Sequence, residues 1–283
     1  MSENQYLMDF LPRLSSFRNE TSGTITSYRI NQPQIENTER PALVFLHGFN
    51  GSSKSWACQF AHFTSQTVIA IDAPGFGESQ VVDGGMVAIA DEVAAVIASL
   101  VTGKAVIIGH SMGGMLAQVL GATHPDICEA IILSCTHKGR AQPAGSPLGA
   151  AVLERIQQRE VMDDASYGAL RVGKMLSGRI DPQIVAFLAA VAGEIRVEGI
   201  RCGGFAMHYL DTSAFLDKIT APVAIFTGAD DIVVKPDAAA ALKAGLPQAH
   251  HALLAGVGHA PYCEDAASFN AAIEAFLDAV LAG

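Results

Sequence analysis

Gly109-His110-Ser111-Met112-Gly113-Gly114 stands between a short apolar run, Ala105–Ile108, and a helical pattern, Met112–Ala122. This is G-x-S-x-G in a strand–turn–helix setting. A sharp turn at that point lifts the serine hydroxyl clear of the sheet. Glycine is needed on both sides, because a Cβ at 109 or 113 would meet neighbouring backbone. The setting makes Ser111 a candidate nucleophile rather than a plain helix N-cap.

Working outward, Thr24–Ile30 alternates, and Ala42–Leu46, Val68–Ile71, Ile131–Leu133, Val223–Phe226 and Ala252–Leu254 are short and apolar. Such runs suit strands of a parallel sheet buried on both faces. Helical patterns at Met86–Val101, Met112–Ala122 and Ala266–Leu281 lie among them. The alternation predicts an α/β fold, a mostly parallel central sheet with helices on both faces. Between Cys135 and Ala221 the rhythm changes. Pro143, Gly145, Pro147 and Gly149 mark a loop, and helical patterns follow at Leu148–Arg159, Ala165–Leu176, Pro182–Val191 and Gly204–Leu216. Residues 137–220 therefore read as an inserted helical cap on a core formed by 1–136 and 221–283.

A serine hydroxyl needs a general base within hydrogen-bond reach, and that base needs an orienting acid. Asp230 and Asp231 follow the strand Val223–Phe226, and both are eligible acids. Of nine histidines, His259 lies on a loop after the last strand, beside Gly258, and is the candidate base. Oxyanion donors are expected at the backbone N–H of Met112, and of Phe49 in the turn His47-Gly48-Phe49-Asn50 after an early strand.

Composition narrows the classes. The 283 residues carry 18 Lys+Arg against 28 Asp+Glu, a net charge of −10, and half of them are hydrophobic. That excludes a disordered chain and argues against nucleic-acid binding. The N-terminus carries early acids and no secretory pattern, and no apolar run is long enough to span a bilayer, so a cytoplasmic protein without membrane partners is expected. Five widely spaced cysteines, odd in number, speak for reduced thiols, and no metal-ligand motif or cofactor-binding loop is visible.

Taken together, His47-Gly48-Phe49, Asp72-Ala73-Pro74-Gly75-Phe76-Gly77-Glu78-Ser79, Gly109–Gly114, Gly228–Asp231 and Gly258-His259 resemble the α/β-hydrolase family. The resemblance covers both ends of the chain. It implies the order Ser, Asp, His and places the acid three residues after Gly228, at Asp231. The other location some relatives use, here Ser134-Cys135-Thr136-His137-Lys138, holds no carboxylate. The Asp72–Ser79 run is similar to a structural turn of the family, so Asp72 is not the nucleophile.

Function is expected to be hydrolysis of a small carboxylic ester or lactone by Ser111, His259 and Asp231, without cofactor or metal, by a monomer or homodimer. The segment Gly199–Ile219 is similar to the last cap helix of small lactonases and esterases such as enol-lactonases. C–C bond or amide hydrolysis with the same residues is the alternative. Cofactor-free oxygenation or ligand reception on the same fold are further ones. His47, Trp56, His110, Arg201 and His208 are candidate substrate-binding residues.

The charge is unevenly spread: residues 137–220 hold 10 basic and 9 acidic side chains, so the acidity belongs to the core. Arg140, Arg155, Arg171, Lys174, Arg179, Arg196 and Arg201 are available in the cap. An anionic substrate met by an arginine such as Arg201 is expected.

Overall fold

The computed structural model describes residues 5–31, 33, 40–176, 178 and 180–281. Arg179 lies outside them. Among the described residues eight strands form one sheet: β1 Leu14–Arg18, β2 Ile25–Asn31, β3 Ala42–Leu46, β4 Val68–Ile71, β5 Ala105–His110, β6 Cys128–Ser134, β7 Val223–Gly228 and β8 His250–Leu254. Their order is β1-β2-β4-β3-β5-β6-β7-β8. The pairs β1/β2 and β2/β4 are antiparallel, and every other pair is parallel. Strand β1 was not expected. Its Leu-Ser-Ser-Phe-Arg is half exposed at the sheet edge and lacks the continuous apolar run of the buried strands.

Side chains alternate across the sheet, as the two-residue period of a strand requires. Val44, Leu46, Ile69, Ile71, Ile107 and Leu133 face one core layer, with α3 (Gly85–Leu100) and α4 (Met112–Thr123). Leu43, Phe45, Val68, Ala70, Val106 and Ile132 face the other, with α2 (Ala57–His62) and α12 (Ala266–Leu281). A short α1 (Gln5–Met8) precedes β1. Helix α10 (Pro236–Gly245), unexpected from sequence, lies between β7 and β8, and α11 (Pro261–Glu264) leads into α12.

Between β6 and β7 the described residues form five helices: α5 Ala150–Val161, α6 Asp164–Val172, α7 Pro182–Gly193, α8 Val197–Tyr209 and α9 Ser213–Leu216. Asp163 caps α6 by accepting from Ser166 N–H at 2.8 Å, and Asp181 caps α7 by accepting from Gln183 N–H at 2.8 Å. The helix expected over Gly204–Leu216 is instead α8, which starts seven residues earlier and ends at Tyr209. Its glycines do not break it because they are where it approaches the core. A Cβ on Gly199 would lie 2.5 Å from Gly75 O, and one on Gly203 would lie 2.8 Å from Phe76 Cζ and 3.0 Å from Met112 Sδ. Tertiary closeness overrides the low helix propensity of glycine here.

Register brings the site together. Leu46 pairs with Gly109, His110 with Ser134, Ser134 with Phe226, and Gly228 with Leu254. The carboxyl ends of β3, β5, β6, β7 and β8 therefore lie side by side, and the loops that follow them share one face.

Candidate active site

Ser111 sits where β5 turns into α4, with φ 52° and ψ −111°. A non-glycine residue at positive φ is strained, and the surrounding bonds hold it there. Its N–H donates to Ser134 O at 2.9 Å, and its carbonyl accepts from Thr136 Oγ1 at 2.6 Å. The flanking glycines answer to close packing: a Cβ on Gly109 would lie 2.2 Å from Gly113 O, and one on Gly113 would lie 2.1 Å from Leu46 O. Met112 is the first residue of α4, so its N–H has no acceptor within the helix. Phe49, on the turn after β3, lines the cavity in front of Ser111.

His259 follows β8 and stands between Ser111 and Asp231. Its Nε2 lies 3.1 Å from Ser111 Oγ, and its Nδ1 lies 2.9 Å from Asp231 Oδ2. The side chains of His259 and Asp231 are 5% and 3% exposed, which keeps water from competing for these bonds. Burial opposes the charge on Asp231. The hydrogen bond and charge of His259 and the N–H groups of Val234 and Val233 outweigh it, and hold the carboxyl below the usual range. Those two N–H groups reach Asp231 Oδ1 at 3.0 and 2.8 Å, so both carboxylate oxygens are engaged. Asp230 is exposed.

The histidine loop has a support that the sequence did not suggest. Glu264 on α11 accepts from Gly258 N–H at 2.9 Å and from Ala260 N–H at 2.7 Å, bracketing His259. Its only signal was a carboxylate five residues after the histidine. On the other side, His110 Nε2–H donates to His259 O at 2.6 Å. Burial is the main cause that takes the His110 pKa down to about 3, so the ring is neutral, and its Nδ1 has no hydrogen-bond partner.

The cavity in front of Ser111 has a volume of about 140 Å³. Of the five residues expected to bind substrate, only His110 lines it. His47 is buried beneath it; its Nδ1–H donates to Gly48 O at 2.8 Å and its Nε2 accepts from Ala73 N–H at 3.0 Å, tying the Phe49 turn to the Asp72 turn. Trp56 is fully buried against Phe45 and Tyr262, with ring centroids 4.8 and 4.9 Å away, and so stands behind a wall residue rather than in the wall. His208 is buried under the loop before α5 and meets Ser146 Oγ at 3.1 Å. Arg201 faces outward, paired with Glu160 at 3.3 Å, because its position on α8 is opposite the glycine side that meets the core.

The cations that reach the cavity are Arg140, Arg155, Arg171 and Lys174. All four lie among the cations named for residues 137–220, and which of those cations reach the cavity depends on how the helices pack. Arg196 instead donates to Gly75 O and Ser79 O, at 3.1 and 2.6 Å. Asp72 is structural, since its carboxylate accepts from Ser27 Oγ at 2.6 Å and from Ser53 N–H at 2.5 Å.

Among the described residues, one group could offer three metal ligands: Cys135, Asp231 and His259, within 4.8 Å of one another. Burial holds the Cys135 thiol well above its usual pKa, and both ring nitrogens of His259 already face protein partners. No described helix is long and apolar enough to cross a membrane.

Residues 41–266 match the alpha/beta hydrolase fold family. The chain is 27% identical over 255 residues to an sn-1-specific diacylglycerol lipase of Mus musculus, covering 84% of this chain and 81% of that protein. It is 27% identical over 254 residues to a pimeloyl-[acyl-carrier protein] methyl ester esterase of Citrobacter koseri, covering 86% and 96%. In fold it is similar to the enol-lactonase from Burkholderia xenovorans, with a TM-score of 0.78, 22% identity, and 90% and 97% of the two chains covered. With the family match spanning most of its length, the chain belongs to the alpha/beta hydrolase fold family and is a hydrolytic enzyme.

Proposed function

We propose that the protein hydrolyses a small carboxylic ester or lactone through an acyl-enzyme, with Ser111 as nucleophile, His259 as general base and acid, and Asp231 as the group that orients the imidazole. The observation that carries this is the unbroken relay Ser111 Oγ–His259–Asp231, with contacts of 3.1 and 2.9 Å. His259 Nε2 takes the hydroxyl proton as Oγ attacks the substrate carbonyl. Asp231 keeps the other ring proton on Nδ1 and stabilises the imidazolium that forms. The N–H groups of Met112 and Phe49 face the developing oxyanion. Collapse expels the alkoxide, which takes the proton from His259. Water then repeats the sequence and frees the acid and Ser111.

Small size is supported by the cavity. Its ~140 Å³ is close to the roughly 150 Å³ that holds one benzene ring, so it fits a short acyl group or a single ring. An ester bond is supported by relatives that are an esterase and a lipase. Ser111→Ala should lower kcat/KM on a short-chain aryl ester by at least roughly 10⁴-fold with the fold retained. Comparable turnover by the variant would overturn the assignment.

A further inference from the structure

The wall of the cavity opposite the elbow is cationic without compensation. Arg140, Arg155, Arg171 and Lys174 line it, and among the described residues no aspartate or glutamate does. Arg140 and Lys174 are exposed and solvated at its rim. Arg155 and Arg171 are different. Arg171 is 5% exposed on the last turn of α6, and Arg155 lies on α5 facing the Phe49 turn. Neither forms an ion pair among the described residues.

Their protein contacts are neutral and orienting. Arg171 Nη2 donates to Gln158 Oε1 at 2.7 Å, its guanidinium lies 5.2 Å from the centre of the Tyr167 ring, and its buried Nε has no partner. Arg155 Nη1 donates to Asn50 Oδ1 at 2.7 Å, and its guanidinium lies 4.9 Å from the centre of the Phe49 ring. Gln158 in turn donates to Glu154, an exposed carboxylate outside the cavity. Burial first, and then the neighbouring charge of Arg171, bring the Arg155 pKa down to about 10. Two neighbouring like charges, one buried and one half-buried, with nitrogens to spare, are costly unless an anion joins them. The planar fork of a guanidinium matches the two oxygens of a carboxylate.

We infer that Arg155 and Arg171 form an anion subsite of the cavity, and that the substrate is a small ester or lactone bearing a free carboxylate. This rests on the ester-hydrolase reading above. Because the cavity is about the size of one ring, the carboxylate and the scissile carbonyl belong to one compact molecule, only a few carbons apart. The carboxylate would be anchored on the insertion while the carbonyl meets Ser111 on the core.

The test compares monomethyl glutarate with its ω-carboxamide, equal in shape but neutral. Wild type should favour the carboxylate in kcat/KM by about tenfold or more, the worth of a charge-assisted pair. Arg155→Met and Arg171→Met, which keep an apolar stem, should each reduce that ratio by about tenfold, and the lysine variants should retain part of it. A wild-type ratio of one or less, or an unchanged ratio in methionine variants with a normal unfolding midpoint, would overturn the subsite. Calorimetric binding of glutarate against its diamide, done on Ser111→Ala, separates the two readings. If ester turnover is absent or survives Ser111→Ala, the hydrolase mechanism fails. A glutarate preference lost in the methionine variants still upholds the subsite, and no preference overturns it.

Discussion

The elbow and the inserted helices face each other across one cavity, yet they hold their side chains by different means. At the elbow the backbone does the positioning. Ser111 is fixed at φ 52°, and the glycines around it admit no Cβ without contacts near 2.2 Å. In the insertion, long side chains reach the cavity from helix faces and are steadied by aromatic rings and amides, as Arg171 is by Tyr167 and Gln158. The first arrangement suits chemistry, where small displacements of a nucleophile are costly. The second suits recognition, because a helix face can exchange one cation for another side chain without moving the backbone.

The difference can be tested from its strongest point downward. Asp231→Asn should leave the fold intact and reduce kcat by about 10³- to 10⁴-fold, since an amide no longer holds the tautomer that His259 needs. Asp230→Asn should change it by no more than about twofold. Equal losses in steady-state assays of the two variants would break the assignment of the acid. Next, Gly113→Ala should destabilise the protein by about 3 kcal/mol or more, because the new methyl meets Leu46 backbone. Gly149→Ala, at the start of α5 with open space around it, should cost about 1 kcal/mol or less. Urea unfolding midpoints of the pair would show whether the core is the less forgiving region.

A smaller effect concerns pH. His110 stays neutral in the folded state down to about pH 3, while the unfolded chain takes up a proton near 6.5. Between those values the unfolded state binds more protons, so stability falls as pH is lowered from 6.5. At pH 5 this single ring removes about 2 kcal/mol. Burial depresses His47 in the same direction. His110→Asn should flatten the slope of unfolding free energy against pH between 6.5 and 5, and an unchanged slope would assign the acid sensitivity elsewhere. Least of all, Arg201→Gln should alter stability by less than about 0.5 kcal/mol and leave turnover of anionic esters as it was, since its charge lies on the outer face of α8 beside Glu160.

The same contrast governs what could be read before folding. The parallel strands and the elbow were legible because their signals are local: continuous Val/Ile runs, and glycines at fixed offsets from Ser111. Loops after strands offered His259 and the pair Asp230 and Asp231, the family resemblance chose Asp231, and the register of the strands from β5 to β8 brings those loops together. Strand β1 was missed because an edge strand buries too little to carry an apolar run. In the insertion, the amphipathic patterns marked helices but not which face would meet the cavity. Arg155 and Arg201 were both available in the stretch between β6 and β7, and the packing of its helices decides which of them reaches the cavity. The burial of Trp56 and His208 beneath neighbouring residues is a long-range fact that their place in the sequence does not show.

Gly199 and Gly203 carry a consequence for how such an enzyme can diverge. They let α8 rest directly on the Gly75–Phe76 turn and on Met112 at the elbow. Along the chain, α8 belongs to the insertion; mechanically it is a fixed wall of the catalytic layer, with no room for side chains at the contact. An exchange of caps between relatives cut at the strand junctions would carry that wall away with the variable part. The segment free to drift is the shorter stretch from α5 to α7, which is also the stretch that bears Arg155 and Arg171.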